Sequence, residues 1–141
     1  MIVLFIFDFF TPTTMIVPYI DVKPAGVKGR GVFTSKAIPA NTVVEISPVL
    51  VLKPKERKTL ETTLLYHYVF EWGDTRRKAG MALGYISMYN HSYTSNCAYE
   101  MDFDEMTMTI KTVKAVKKGE ELTINYNADP NDATPVWFDA E

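Results

Sequence analysis

Apolar and polar residues alternate most clearly between Cys97 and Phe103: Cys97, Tyr99, Met101 and Phe103 face one way, and Ala98, Glu100 and Asp102 the other. A period of two is the mark of a half-buried strand. Asp104 and Glu105 offer a turn, after which Met106, Met108 and Ile110 resume the alternation in a partner strand running to Lys114. A hairpin is the natural result. Upstream, IVPYIDV (16–22) reads as a short strand in which Pro18 suggests an edge or a bulge. TVVEISPVLVL (42–52) is a β-branched run interrupted by Pro48, and ELTINY (121–126) is a last strand with Leu122, Ile124 and Tyr126 inward. Between them, the Lys, Glu, Arg, Thr and Leu of residues 53–65 permit a short helix, Trp72-Gly73-Asp74 is a break, and MALGYISM forms a turn or short helix. The predicted class is mainly β with short helices.

One internal echo bears on the turns. SKAIPANTVVE (35–45) parallels VKAVKKGEELT (113–123), with Asn41 standing where Gly119 stands. Asn and Gly are the residues that best tolerate positive φ, so one turn device used twice is predicted, without a repeat architecture.

Composition narrows the function classes. The 141 residues, 47% of them apolar, suit one domain with a single core. Fifteen Lys and Arg against seventeen Asp and Glu give a charge of −2, so no global basic field favours direct nucleic-acid binding. The lone Cys97 excludes an internal disulfide and a cysteine-cluster zinc site, and no metal site is expected. A reducing, cytoplasmic setting is the default, with the nucleus open to a eukaryotic protein. The apolar start MIVLFIFDFF contains Asp8 and is too short to span a membrane. It lacks the basic segment and cleavage site of a secretory signal. We read residues 1–14 as an extension that packs or self-associates, offering a homodimer contact, or as sequence ahead of a start at Met15.

Candidate chemistry lies in three places. KGRGVF (28–33) puts glycines around Arg30 just before a strand, where backbone N–H and C=O groups can grip a ligand, although a tight turn explains the same pattern. YNHSYTSN (89–96) crowds Asn90, His91, Ser92 and Asn96 among tyrosines. Ser92 beside His91 is not the spacing of a nucleophilic triad, and His67 is the one other histidine. A histidine satisfied by the backbone of a polar turn stays open. Tyr126 ends a strand, where tyrosine is ordinarily core with a wet hydroxyl.

In chain order, GRGVF, ALGYI, YNHSYTSN and GEELTINYN resemble the SET domain of protein-lysine methyltransferases over roughly residues 19–127. The resemblance implies a β-clip-like fold of small sheets with a C-terminal pseudoknot that brings YNHS beside ELTINY. It implies an enzyme that moves a methyl group from S-adenosyl-L-methionine to the side-chain amine of lysine in a protein or peptide. By the same resemblance Tyr126 is catalytic, and Lys28, Gly29, Arg30, Gly31, Tyr68, Asn90 and His91 hold the cofactor. Tyr68, Tyr85 and Ile124 line the lysine channel, and Trp137 and Phe138 of the tail 128–141 close it, in place of the zinc-bound cysteines of many members. Ile124 brings no hydroxyl to the position that restricts some members to monomethylation. Departures are Tyr93 within NHSYTSN, and Asn125 where an acid commonly precedes the catalytic tyrosine. Asn125 and the missing zinc closure motivate an alternative: an inactive SET-fold module that binds cofactor or peptide.

Overall fold

A computed structural model describes residues 13–136. Its six-stranded sheet runs β5 (Phe70–Trp72), β6 (Lys78–Ala82), β4 (Val43–Leu52), β9 (Thr107–Thr112) and β8 (Cys97–Asp102), with β1 (Met15–Ile16) also on β4. A four-stranded sheet runs β2 (Ile20–Pro24), β3 (Arg30–Thr34), β10 (Glu121–Ile124) and β7 (Asn90–His91). Val32, Val44, Met108, Ile110, Leu122 and Ile124, none of them exposed, come from both sheets and form one core. Burial of this apolar surface is the main force holding the sheets together.

Three expectations are corrected by local chemistry. Residues 16–22 do not form one strand: Pro18 and Tyr19 turn the chain, so that β1 joins one sheet and β2 the other. Proline fixes φ and carries no N–H, which suits it to that crossing. The helix predicted over 53–65 is only α1, Pro54–Leu60, followed by a 3₁₀ turn at Leu64–Tyr68. Glu56 accepts from the N–H of Lys53 and Pro54 opens the helix, whereas Thr63 is extended and ends any continuation. In the β8–β9 hairpin, Met106 belongs to the turn, with a φ of 52°. Asp102 Oδ1 accepts the N–H groups of Asp104 and Glu105, which lengthens the turn and delays the partner strand to Thr107.

Pro48 stands inside β4 between the residues that pair with β1 (Glu45 and Ile46) and those that pair with β6 (Val49–Leu52). A missing N–H is tolerated where a strand changes neighbours.

The echoed segments meet across a local pseudo-twofold. Ile38 and Val116 exchange backbone hydrogen bonds at 2.8 Å in each direction. Around them, Asn41 N–H donates to Thr112 O and Thr112 N–H to Thr42 O, while Gly119 N–H donates to Thr34 O and Thr34 N–H to Glu120 O. Asn41 and Gly119 have φ of 62° and 87°. The turn device is thus used twice, and its two copies pair with each other, setting β10 beside β3.

Candidate active site

Strand β10 enters between two neighbours of opposite direction. It is antiparallel to β3 through Leu122 and Val32, and parallel to β7 through Thr123 with Asn90 and Ile124 with His91. Beyond β7, the Asn96 side chain continues the pairing: its Oδ1 accepts from Thr123 N–H at 2.9 Å and its Nδ2 donates to Glu121 O at 2.8 Å. A primary amide presents the same donor and acceptor pair as a peptide. YNHSYTSN therefore lies along ELTINY as expected.

The glycine turn closes on the same place. Asn90 Nδ2 donates to Arg30 O at 3.0 Å and to Glu121 Oε1 at 2.6 Å. A Cβ at Gly31 would lie 2.9 Å from Asn90 Nδ2 and collide with Glu121 Oε1, so only glycine lets backbone and amide approach so closely. Lys28 is near enough for its charge to act on His91. Glu121, the first residue of ELTINY, carried no sequence signal as a site residue; here it accepts from Asn90 and orients its amide.

His91 is 3% exposed, and its Nδ1 accepts from the backbone N–H of Tyr126 at 3.1 Å. Its pKa is lowered, by burial first and by Lys28 second, so the ring is neutral near pH 7 with its proton on Nε2. Tyr126 stacks obliquely on that ring, 5.2 Å between centroids, and its hydroxyl donates to Tyr89 O at 2.9 Å. Burial, then the neighbouring Tyr68 and Glu121, push the Tyr126 pKa up to about 12. Tyr126 is a phenol at neutral pH.

Tyr126 also lines a groove of about 690 Å³ whose walls include Tyr68, Phe70, Tyr89 and Tyr99. Phe70 and Tyr99 meet edge to face at 5.5 Å, and Ser87 Oγ holds Tyr68 O at 2.8 Å. That Phe70 and Tyr99 meet carried no sequence signal, because the strands that bring them together, β5 and β8, are distant in the chain. Two residues named for the channel are not among those that line this groove. Ile124 is fully buried in the core, as the strand alternation that puts Leu122 inward requires, and Tyr85 packs on that core without lining the groove. Trp137 and Phe138, like residues 1–12, fall outside the described residues.

The chain after Tyr126 folds back beside the groove. Asn125, 2% exposed, donates to Asp132 O at 2.6 Å and accepts from Asn127 N–H at 3.0 Å. Asn127 Nδ2 donates to Thr134 O at 2.7 Å, and the hydroxyl of Tyr93 accepts from Val136 N–H at 3.0 Å. Both departures, Asn125 and Tyr93, thus pin the tail.

The model of the SET domain family matches residues 29–127. The chain belongs to the SET domain family. It is 34% identical over 123 residues to a Schizosaccharomyces pombe histone-lysine N-methyltransferase specific for H3 lysine-37, covering 86% of this chain and 78% of that protein. A Cryptococcus neoformans histone-lysine N-methyltransferase specific for H3 lysine-36 is 32% identical over 78% of this chain, which spans only 14% of that longer protein. The fold is shared with a Plasmodium falciparum crystal structure described as a histone methyltransferase, at a TM-score of 0.61 and 24% identity over 77% of this chain and 92% of that one. Within this SET domain, the glycine turn meets Asn90, the adjacent His91 meets the strand-end Tyr126, and Tyr126 also lines the aromatic groove.

Proposed function

We propose that this SET domain is a protein-lysine N-methyltransferase that uses S-adenosyl-L-methionine, with Tyr126 catalytic. The observation that carries the reading is the position of Tyr126: its backbone is tied to His91, and its ring forms a wall of the aromatic groove. Lys28, Gly29, Arg30, Gly31, Asn90 and His91 suit the cofactor side. The close approach at Gly31, where a Cβ would collide with Asn90 and Glu121, lets the Asn90 amide be held on Arg30 O. Tyr68, at the groove and near Tyr126, suits both sides.

The cofactor supplies a methyl group already activated on a sulfonium. The residues then have to present a neutral amine in line with it, and positioning of this kind accounts for a large part of rate enhancement. Aromatic walls strip water from an entering lysine and so favour loss of its proton to solvent, while their π faces still accept the cation on arrival. The Tyr126 hydroxyl is fixed by donation to Tyr89 O, and both tyrosines line the groove. Because the phenol keeps its proton up to about pH 12, its part is orientation rather than proton abstraction at neutral pH.

The relatives are named for histone H3, which makes a histone-type lysine the first substrate to test and favours the nucleus over the cytoplasm. An inactive module is less well supported, since Asn125 has a defined task in pinning the tail. The test is transfer of labelled methyl from S-adenosyl-L-methionine to histone H3 and to a mixed lysate, with products located by mass spectrometry. Methyl-lysine with wild type, reduced about a hundredfold or more in Tyr126→Phe, supports the proposal; cofactor binding without transfer to any pool overturns it.

A further inference from the structure

We infer that Glu45 is a positioning residue for Tyr126, acting through Tyr89; the inference rests on the proposed role of Tyr126. Glu45 lies on β4 beside a bulge and is fully buried, outside every motif that marks the site. Burying a carboxylate is costly unless its oxygens are satisfied, and a satisfied one fixes whatever it holds.

Its two oxygens hold the two ends of one short segment. Oε1 accepts from Tyr85 N–H at 2.7 Å and from Ser47 Oγ at 2.7 Å, and Oε2 accepts from the Tyr89 hydroxyl at 3.1 Å. Between Tyr85 and Tyr89 runs the 3₁₀ turn Ile86–Met88. The carboxylate thus sets the height of the turn at its start and the ring of Tyr89 at its end. Tyr89, 1% exposed, offers its carbonyl to the Tyr126 hydroxyl at 2.9 Å. A side chain at Gly84 would collide with Glu45 Oε1 and Ser47 Oγ, so the segment sits as near the carboxylate as backbone allows. Tyr126 is therefore oriented from two directions: His91 fixes its backbone, and the Glu45–Tyr89 pair fixes the acceptor of its hydroxyl.

A merely structural Glu45 would affect stability alone, and two variants separate the cases. Tyr89→Phe and Ser47→Ala each remove one hydroxyl donor from the same carboxylate, but only the first lies on the route to Tyr126. With the full chain, S-adenosyl-L-methionine and histone H3, Tyr89→Phe is expected to lower kcat about tenfold while the cofactor KM stays within about twofold. Ser47→Ala is expected to lower Tm and leave kcat within about twofold. Adding Tyr89→Phe to Tyr126→Phe is expected to cost nothing further, because the hydroxyl it orients is gone. Equal kcat losses in Tyr89→Phe and Ser47→Ala, or multiplicative losses in the double variant, overturn the inference. NMR of protein carrying ¹³Cζ-tyrosine decides the point without turnover: the Tyr126 signal is expected to shift in Tyr89→Phe and in Glu45→Ala, less in Glu45→Gln, and not in Ser47→Ala. An unmoved Tyr126 signal in Tyr89→Phe rejects the relay even if methyl transfer is found, and absent transfer with a shifted signal rejects only the proposed function.

Discussion

The backbone N–H of Tyr126 donates to Nδ1 of His91 at 3.1 Å, which ties the end of the last strand to the polar segment laid down well before it. The bond requires a neutral imidazole. Burial and Lys28 lower the His91 pKa below its ordinary 6.5, so below that value the unfolded chain binds the proton more readily than the folded one. The stabilisation is full above about pH 6.5 and is lost as pH falls through the folded pKa. Glu45 works in the opposite sense, because burial raises its pKa above 4.5 despite the hydrogen bonds that oppose the shift. The His91 effect is therefore isolated as the difference in urea midpoint between wild type and His91→Asn, which is expected to shrink between about pH 7.5 and about pH 5.5. A difference that does not vary with pH would remove the need for a neutral ring.

Gly31→Ala forces a Cβ against Asn90 and Glu121. The Asn90 amide must leave Arg30 O, and S-adenosyl-L-methionine is expected to bind about tenfold or more weakly, a loss of roughly 1.4 kcal/mol. Overpacking of this kind also costs about 1–3 kcal/mol of stability. Titration calorimetry with parallel denaturant curves separates the two, and unchanged cofactor affinity would place the cofactor site elsewhere.

Asn96→Ala removes both hydrogen bonds that the side chain makes to β10, leaving Thr123 N–H and Glu121 O without that partner. A loss of roughly 1–3 kcal/mol in unfolding free energy is expected. Amide exchange at Thr123 is expected to quicken in the same variant. Wild-type protection there would show that β7 and β3 hold the strand unaided.

Tyr93→Phe deletes the hydroxyl that accepts from Val136 N–H and keeps the ring against His91, 4.4 Å away. The core is untouched, so Tm is expected to change little. Limited proteolysis is expected to cut faster after Asn127, and the KM for the protein substrate to rise with little change in that for the cofactor. Equal cleavage rates would mean that the Asn125 and Asn127 bonds hold the tail by themselves.

Much of the secondary structure was legible because its causes are local. The alternation of Cys97, Tyr99 and Met101 with Glu100 and Asp102 predicts β8 and its hairpin, and only the start of the partner strand is displaced, by the Asp102 carboxylate capturing two turn amides. The order of GRGVF, YNHS and ELTINY was enough to suggest the SET family, which the family match establishes over residues 29–127. The groove was less legible. Ile124, named for the channel, is fully buried and does not line this groove, whereas Phe70 and Tyr99 arrive there from strands that say nothing of each other in sequence.

By itself, the sequence determined several of the strands and where the chain reverses, as with Asn41 and Gly119 at their positive φ. These choices depend on each residue's own backbone preference and on which face it can bury. Tertiary structure alone decided that the two copies of that turn pair with each other, that β10 lies parallel to β7, and that Glu45 reaches Tyr89 across 44 residues of sequence. Those contacts close long loops, and their partners are selected by how the whole core packs. No local pattern in the chain encodes that choice.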